Sequence, residues 1–278
     1  MRLLVFAAVA ELLLPLLARA DLPCEIPFRY QDGLIWVKVG LTGKREQLNF
    51  LLDSGASVSA IDLQTAHTAR LHLGDRQPVE GVSGQGFGYR VNDLRAIVGA
   101  IALPKSVLAI DLRTISECCH QHIDGILGVD FFRDRIVQID FNAGKICLLK
   151  DCDTNIANCD ILPIKMCNGA FCVPVQISGN PMQWMRLDTG CDSALEWVVT
   201  GTEKRRMSGP SIGLQSDSPH PIKTSARLGK HCFNDITAGI HTKQIFPGED
   251  GLLGNGLLSK FCLTIDERKS RVIFEKAR

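Results

Sequence analysis

The chain has almost no net charge. Its 278 residues carry 31 Lys and Arg against 30 Asp and Glu, a balance of +1, so it projects no field that would gather a nucleic acid or an anionic membrane. Beyond residue 20 no apolar run is long enough to span a bilayer. Helical periodicity is scarce, and repeats of about 20 to 50 residues, which mark solenoids and propellers, are missing. A glycine-rich stretch, Gly81 Val82 Ser83 Gly84 Gln85 Gly86 Phe87 Gly88 Tyr89, has no helical pattern behind it and is therefore not a phosphate-binding fingerprint. The run Cys118 Cys119 His120 Gln121 His122 has no second cluster at ligand spacing, so a loop is expected there rather than a metal site.

The start of the chain is different in character. Arg2 is followed by a largely aliphatic stretch from Leu3 to Leu17, and Ala18 Arg19 Ala20 has the small, any, small pattern that a signal peptidase cuts, here before Asp21. Residues 1–20 read as a secretory signal, with a short amphipathic anchor as the competing reading, and a secreted or periplasmic protein is expected. The 11 cysteines all follow that cut and fit an oxidising compartment. An odd number leaves at least one thiol unpaired. Cys152 with Cys159, and Cys167 with Cys172, are close enough in sequence to close small disulfide loops, although connectivity does not follow from sequence.

The strongest signal is a sentence written twice. An apolar strand runs into an aspartate at Leu51 Leu52 Asp53 Ser54 Gly55 Ala56 and again at Arg186 Leu187 Asp188 Thr189 Gly190 Cys191. Each copy has a downstream partner, Asp124 Gly125 Ile126 Leu127 Gly128 and Asp250 Gly251 Leu252 Leu253 Gly254. Ile139 Asp140 and Ile265 Asp266 then follow at the same interval of 16 residues. Upstream, the alternating runs at 35–39 and 171–177 lead to turn glycines, Gly43 and Gly179, and predict antiparallel strands. Strands at 145–149 and 271–274 close the two units. Short helical turns are expected at 63–69, 129–133 and 255–259. The reading is of two mostly-β lobes, 21–150 and 160–278, joined by a polar linker at 151–159.

These residues resemble the aspartic peptidase superfamily, and the resemblance covers nearly all of the chain after residue 20. It implies two pseudo-symmetric β lobes with a cleft between them, single-chain as in the pepsin-like branch but with lobes as small as those of the retroviral branch. It further implies an endopeptidase acting on a polypeptide substrate, a monomer, without metal or cofactor. Asp53 and Asp188 would be the catalytic pair, sharing one proton because two adjacent carboxylates cannot both ionise cheaply. One would activate a water molecule and the other would stabilise the oxyanion, with no covalent intermediate. Ser54 and Thr189 would hydrogen-bond backbone across the pseudo-twofold axis, and Gly55 and Gly190 would leave room beside the carboxylates. Ser83, Gly84, Gln85 and Gly86 form the candidate flap; the second lobe's equivalent at 209–215 is weaker.

One departure from the family pattern bears on pH. The residues after the two loop glycines are Ala56 and Cys191, where pepsin-like members place a hydroxyl that can donate to the carboxylate. Fewer donors favour the neutral acid, so activity is expected at weakly rather than strongly acidic pH. A peptide-binding module on the same fold, with catalysis lost, is the alternative function. Asp124 and Asp250 are expected to bond within their own loops, Asp140 and Asp266 to sit in turns, and Trp36, Trp184 and Trp197 to belong to the core.

Overall fold

The computed structural model describes residues 24–81, 84–152, 159–199 and 220–276. The secretory-signal reading of 1–20, Ser83 of the candidate flap, linker residues 153–158 and the second candidate flap at 209–215 lie outside them. No helix among the described residues is long and apolar enough to cross a membrane.

In the first half the elements are β1 (Cys24–Gln31), β2 (Leu34–Leu41), β3 (Gln47–Leu52), β4 (Ala60–Asp62), α1 (Leu63–Thr68), β5 (Leu73–Gly81), β6 (Gly84–Val91), β7 (Ala96–Val98), β8 (Ile101–Ala102), β9 (Val107–Ile110), α2 (Arg113–Cys118), β10 (Gly125–Leu127), α3 (Val129–Phe132), β11 (Ile136–Asp140) and β12 (Lys145–Leu149). In the second half they are β13 (Cys159–Pro163), β14 (Lys165–Cys167), β15 (Ala170–Ile177), β16 (Met182–Leu187), β17 (Leu195–Val198), β18 (His220–Leu228), β19 (His231–His241), β20 (Gly251–Leu253), α4 (Asn255–Leu258), β21 (Phe261–Asp266) and β22 (Arg271–Lys276). Three of the short helices, α1, α3 and α4, stand where the sequence predicts them. The helix α2 was not legible, because it buries none of its side chains and so has no apolar stripe.

The duplication is visible in strand order. The first lobe runs β1-β2-β3-β10-β4-β9-β6 and the second β14-β15-β16-β20-β17-β19-β18. In both, the strand that leads into the aspartate is paired in parallel with the downstream strand, β3 with β10 and β16 with β20. The lobes differ at one seam. In the second, β15 also pairs with β18 and closes the sheet into a barrel; in the first, β2 pairs instead with the extra strand β7.

Strand alternation places two kinds of apolar surface on the first lobe. Ile35, Val37 and Val39 of β2, with Phe50 and Leu52 of β3, enter the main core. On the opposite face Leu34, Trp36 and Leu51 gather with Leu112, Ile123 and Ile126 into a separate buried cluster. Leu51 and Asp53 lie on one face because side chains two apart in a strand point the same way, so this second cluster flanks the aspartate. The main core runs through both lobes, with Phe132 meeting Phe171 edge-on at 5.9 Å. Each such fully buried aromatic stabilises the fold by about 1.5–3 kcal/mol relative to exposure. Trp36 and Trp197 are buried, while Trp184 is half-buried under the ammonium of Lys165.

The strands that end each repeat do not close their own lobes. They join one shared six-strand sheet, β13-β22-β21-β11-β12-β1, whose centre is the antiparallel pair β11–β21 from opposite halves, Ile136 against Asp266 through Asp140 against Cys262. The disulfide expectation also differs from the structure, in which all eleven cysteines are free thiols. Cys159 and Cys262 flank Glu275 on either side of β22, and Cys262 and Cys147 lie on opposite sides of β11. One intervening strand means about 10 Å, beyond the Cα separation of about 7 Å that a disulfide tolerates. Cys167 and Cys172 meet as thiols across the β14–β15 hairpin, with burial raising the pKa of Cys172.

Candidate active site

Both aspartates sit one residue beyond a core strand, and both loops are held in the same way. The amide of Asp53 donates to Leu127 O at 2.9 Å and that of Asp188 to Leu253 O at 2.9 Å. Each loop is then pinned from below. Asp124 accepts from the Asn49 amide at 2.8 Å and the Thr65 hydroxyl at 2.9 Å, and Asp250 accepts from the Trp184 amide at 2.8 Å. This corrects the expectation that Asp124 and Asp250 bond within their own loops: each grips the strand that delivers the aspartate, four residues upstream of it. Asp140 and Asp266 do serve turns, accepting from Ala143 N and Lys269 N at 2.9 and 3.2 Å.

Across the pseudo-twofold axis the loops interlock. The Ser54 amide donates to Thr189 Oγ1 at 2.9 Å and the Thr189 amide to Ser54 Oγ at 3.1 Å. The two hydroxyls donate onward, Ser54 to Leu187 O at 2.6 Å and Thr189 to Leu52 O at 2.9 Å. Both residues are fully buried, so this four-bond clasp works without competition from water.

The clasp brings the carboxyls face to face. A Cβ on Gly55 would lie 2.5 Å from Asp188 Cγ, and one on Gly190 would collide with Asp53 Cγ, so only glycine admits the opposite carboxyl at each loop. The two carboxyls hydrogen-bond each other. Asp53 Oδ1 accepts from the Gly55 and Ala56 amides at 2.8 and 3.0 Å, whereas Asp188 Oδ1 accepts from Gly190 alone, at 2.9 Å. Burial raises both pKa values from the ordinary 3.8. In Asp53 the two amides oppose that rise; in Asp188 the neighbouring charge of Asp53 adds to it and carries it well above that value. The donor supply thus favours ionisation at Asp53 over Asp188. Cys191 does not replace the missing hydroxyl: its thiol turns to Ser193 Oγ at 3.1 Å, and burial followed by the Asp188 charge pushes it up to about 12.

With 13% identity, the aspartic proteinase from Irpex lacteus superposes on the chain at a TM-score of 0.60, covering 92% of this chain and 97% of that one. The family model described as aspartyl protease matches residues 37–131, the stretch that holds Asp53 and its downstream partner. The chain thus has the two-lobe fold of an aspartic protease. Among curated proteins none matches it significantly. Of the candidate flap of this aspartic-peptidase fold, Gly84, Gln85 and Gly86 start β6, which pairs with β5.

Reading the sequence missed several residues that build the site. Asn255, where the first copy has Val129, donates to Thr189 O and Gly33 O at 2.7 Å each and so ties the second loop to the first lobe's β1–β2 turn. That turn and its counterpart are reciprocal: a Cβ on Gly33 would lie 2.7 Å from Asp192 Cβ, and one on Gly169 would lie 2.8 Å from Ser57 Cβ. Arg186 and Glu249 form a buried ion pair behind the carboxyls. Arg186 carried a legible signal, a charge in an apolar strand where the first copy has Leu51.

Proposed function

We propose that the chain is an aspartic endopeptidase in which Asp53, ionised, takes a proton from a water molecule while Asp188, protonated, donates to the carbonyl oxygen of the peptide bond. The attack yields a noncovalent tetrahedral intermediate, and the proton taken by Asp53 passes to the leaving nitrogen. The observation that carries this reading is the meeting of two carboxyls, Asp188 buried and Asp53 half-buried, that share a hydrogen bond and are unequally supplied with backbone donors. Such environments split a pair into an acid and a base. Ser54, Thr189, Gly55 and Gly190 would keep the geometry, and the β5–β6 hairpin would cover an extended polypeptide by backbone hydrogen bonds. The sequence at 1–20 supports export, which places the activity outside the cytoplasm.

The test is cleavage of an unfolded protein at weakly acidic pH. Wild type is expected to cut and a statine-type inhibitor to stop it, while Asp53→Asn lowers turnover by about 10²–10⁴-fold. Inhibitor binding without turnover by wild type would select the peptide-binding module instead.

A further inference from the structure

The pseudo-twofold axis maps Leu51 onto Arg186 and Ile123 onto Glu249. In the first lobe Leu51 and Ile123 lie in the apolar cluster beside Asp53. In the second lobe the same places hold an ion pair whose side chains are 3% and 1% exposed. Replacing a buried pair by well-packed apolar groups is commonly neutral or stabilising, and the first lobe fills these positions that way. Stability therefore does not account for the pair.

Its connections do. Arg186 Nε and Nη2 donate to the two Glu249 oxygens at 2.7 and 2.5 Å, and the remaining Nη1 crosses between lobes to donate to Gly55 O at 2.6 Å. Gly55 is the residue whose amide holds the Asp53 carboxylate. Glu249 also accepts from Asn168 at 2.8 Å, the residue before the Gly169 turn that presses on Ser57, and the Phe246 ring covers the guanidinium at 3.5 Å. The Asp53 loop is thus held by the second lobe at Gly55 and approached closely by it at Ser57. We propose that Arg186, held by Glu249, is a positioning residue for this site, locking the Asp53 loop to the opposite lobe and placing a buried cation behind the carboxyl pair. The kinetic part of this inference rests on the peptidase reading.

The charged and titratable groups around the pair are few. Arg186 acts on both carboxyls and favours ionisation, Glu249 neutralises part of that cation, and two thiols stay neutral: Cys191 beside Asp188, and Cys172, which faces Arg186 across β15–β16, touches Cys167 and is pushed up by burial. The informative variant is Arg186→Leu with Glu249→Ile, which makes the second lobe copy the first. It is expected to fold with an undiminished thermal midpoint, to lose roughly 10–100-fold in kcat with little change in KM, and to move the acid limb of the pH profile up by about one unit. Arg186→Lys keeps the charge without the fork, so the acid limb stays while kcat falls. Glu249→Gln frees the cation and moves the limb the other way.

Titration of ¹³C-labelled aspartate carboxyls by NMR reads the same shifts without turnover. A wild type that cuts nothing would end the peptidase reading but leave that titration to judge Arg186. Carboxyl midpoints unmoved in the double variant would overturn the proposal, as would unchanged kcat in an active enzyme. Should the double variant not fold, Arg186→Lys and Glu249→Gln decide in its place: midpoints that stay in the first and fall in the second support the proposal, and midpoints unmoved in both overturn it.

Discussion

At Asp188 burial, followed by the adjacent charge of Asp53, pushes the carboxyl's pKa well above its ordinary value, and a single backbone amide opposes the rise. Its folded pKa is raised, so the folded chain binds this proton more tightly than the unfolded chain does. The associated stability is complete below the ordinary value of 3.8 and is lost as pH rises through the folded pKa. An amide at this position cannot ionise. Asp188→Asn is expected to be inactive, equal to wild type in stability at pH 4, and more stable at pH 7, with a gain in Tm of about 2 °C or more for a chain of this size. Thermal scans at the two pH values check it; a variant less stable than wild type at pH 7 would show that the pair is not strained by its charge. The same residue scale explains the inert Cys191, whose thiol at about 12 has almost no thiolate at neutral pH.

At the scale of elements, each aspartate is only as well placed as the strand beneath it. Asp124 holds β3 through the Asn49 amide and reaches α1 through Thr65, while Asp250 holds β16 through one amide. The first is buried and the second half-buried. Losing a buried charged acceptor leaves its donors unsatisfied at about 1–3 kcal/mol. Asp124→Ala is therefore expected to destabilise by more than Asp250→Ala, and both to lower kcat. Urea midpoints rank the two; equal values would mean that the Thr65 bond adds nothing.

For the whole molecule the deciding element is the six-strand sheet shared by both halves. Cutting the chain between the lobes would strip β11 of β21 and expose an edge bearing Ile136, Val137 and Ile139, which are buried in the intact chain. Such an edge pairs with another chain. A fragment of residues 24–152 is expected to self-associate, as measured by sedimentation, and a soluble monomeric fragment would contradict the sheet's role. The lobes are thus repeats in sequence but not independent folding units.

The sequence by itself determined the paired aspartates, the loop glycines, the hydroxyls behind them and most strands, because these are local: an apolar alternation ends at an acidic turn, twice at matching intervals. Asp53 and Asp188 could be named without knowing that they touch. Only the tertiary structure decided how unequally the two carboxyls are supplied with donors, two amides against one, set by how each loop closes. It also decided that Asp124 and Asp250 grip the preceding strand, that Arg186 reaches Gly55 across the axis, and that the closing strands merge into one sheet. Each of these last three is a contact between residues 66 or more positions apart, and distance along the chain carries no signal in composition or periodicity.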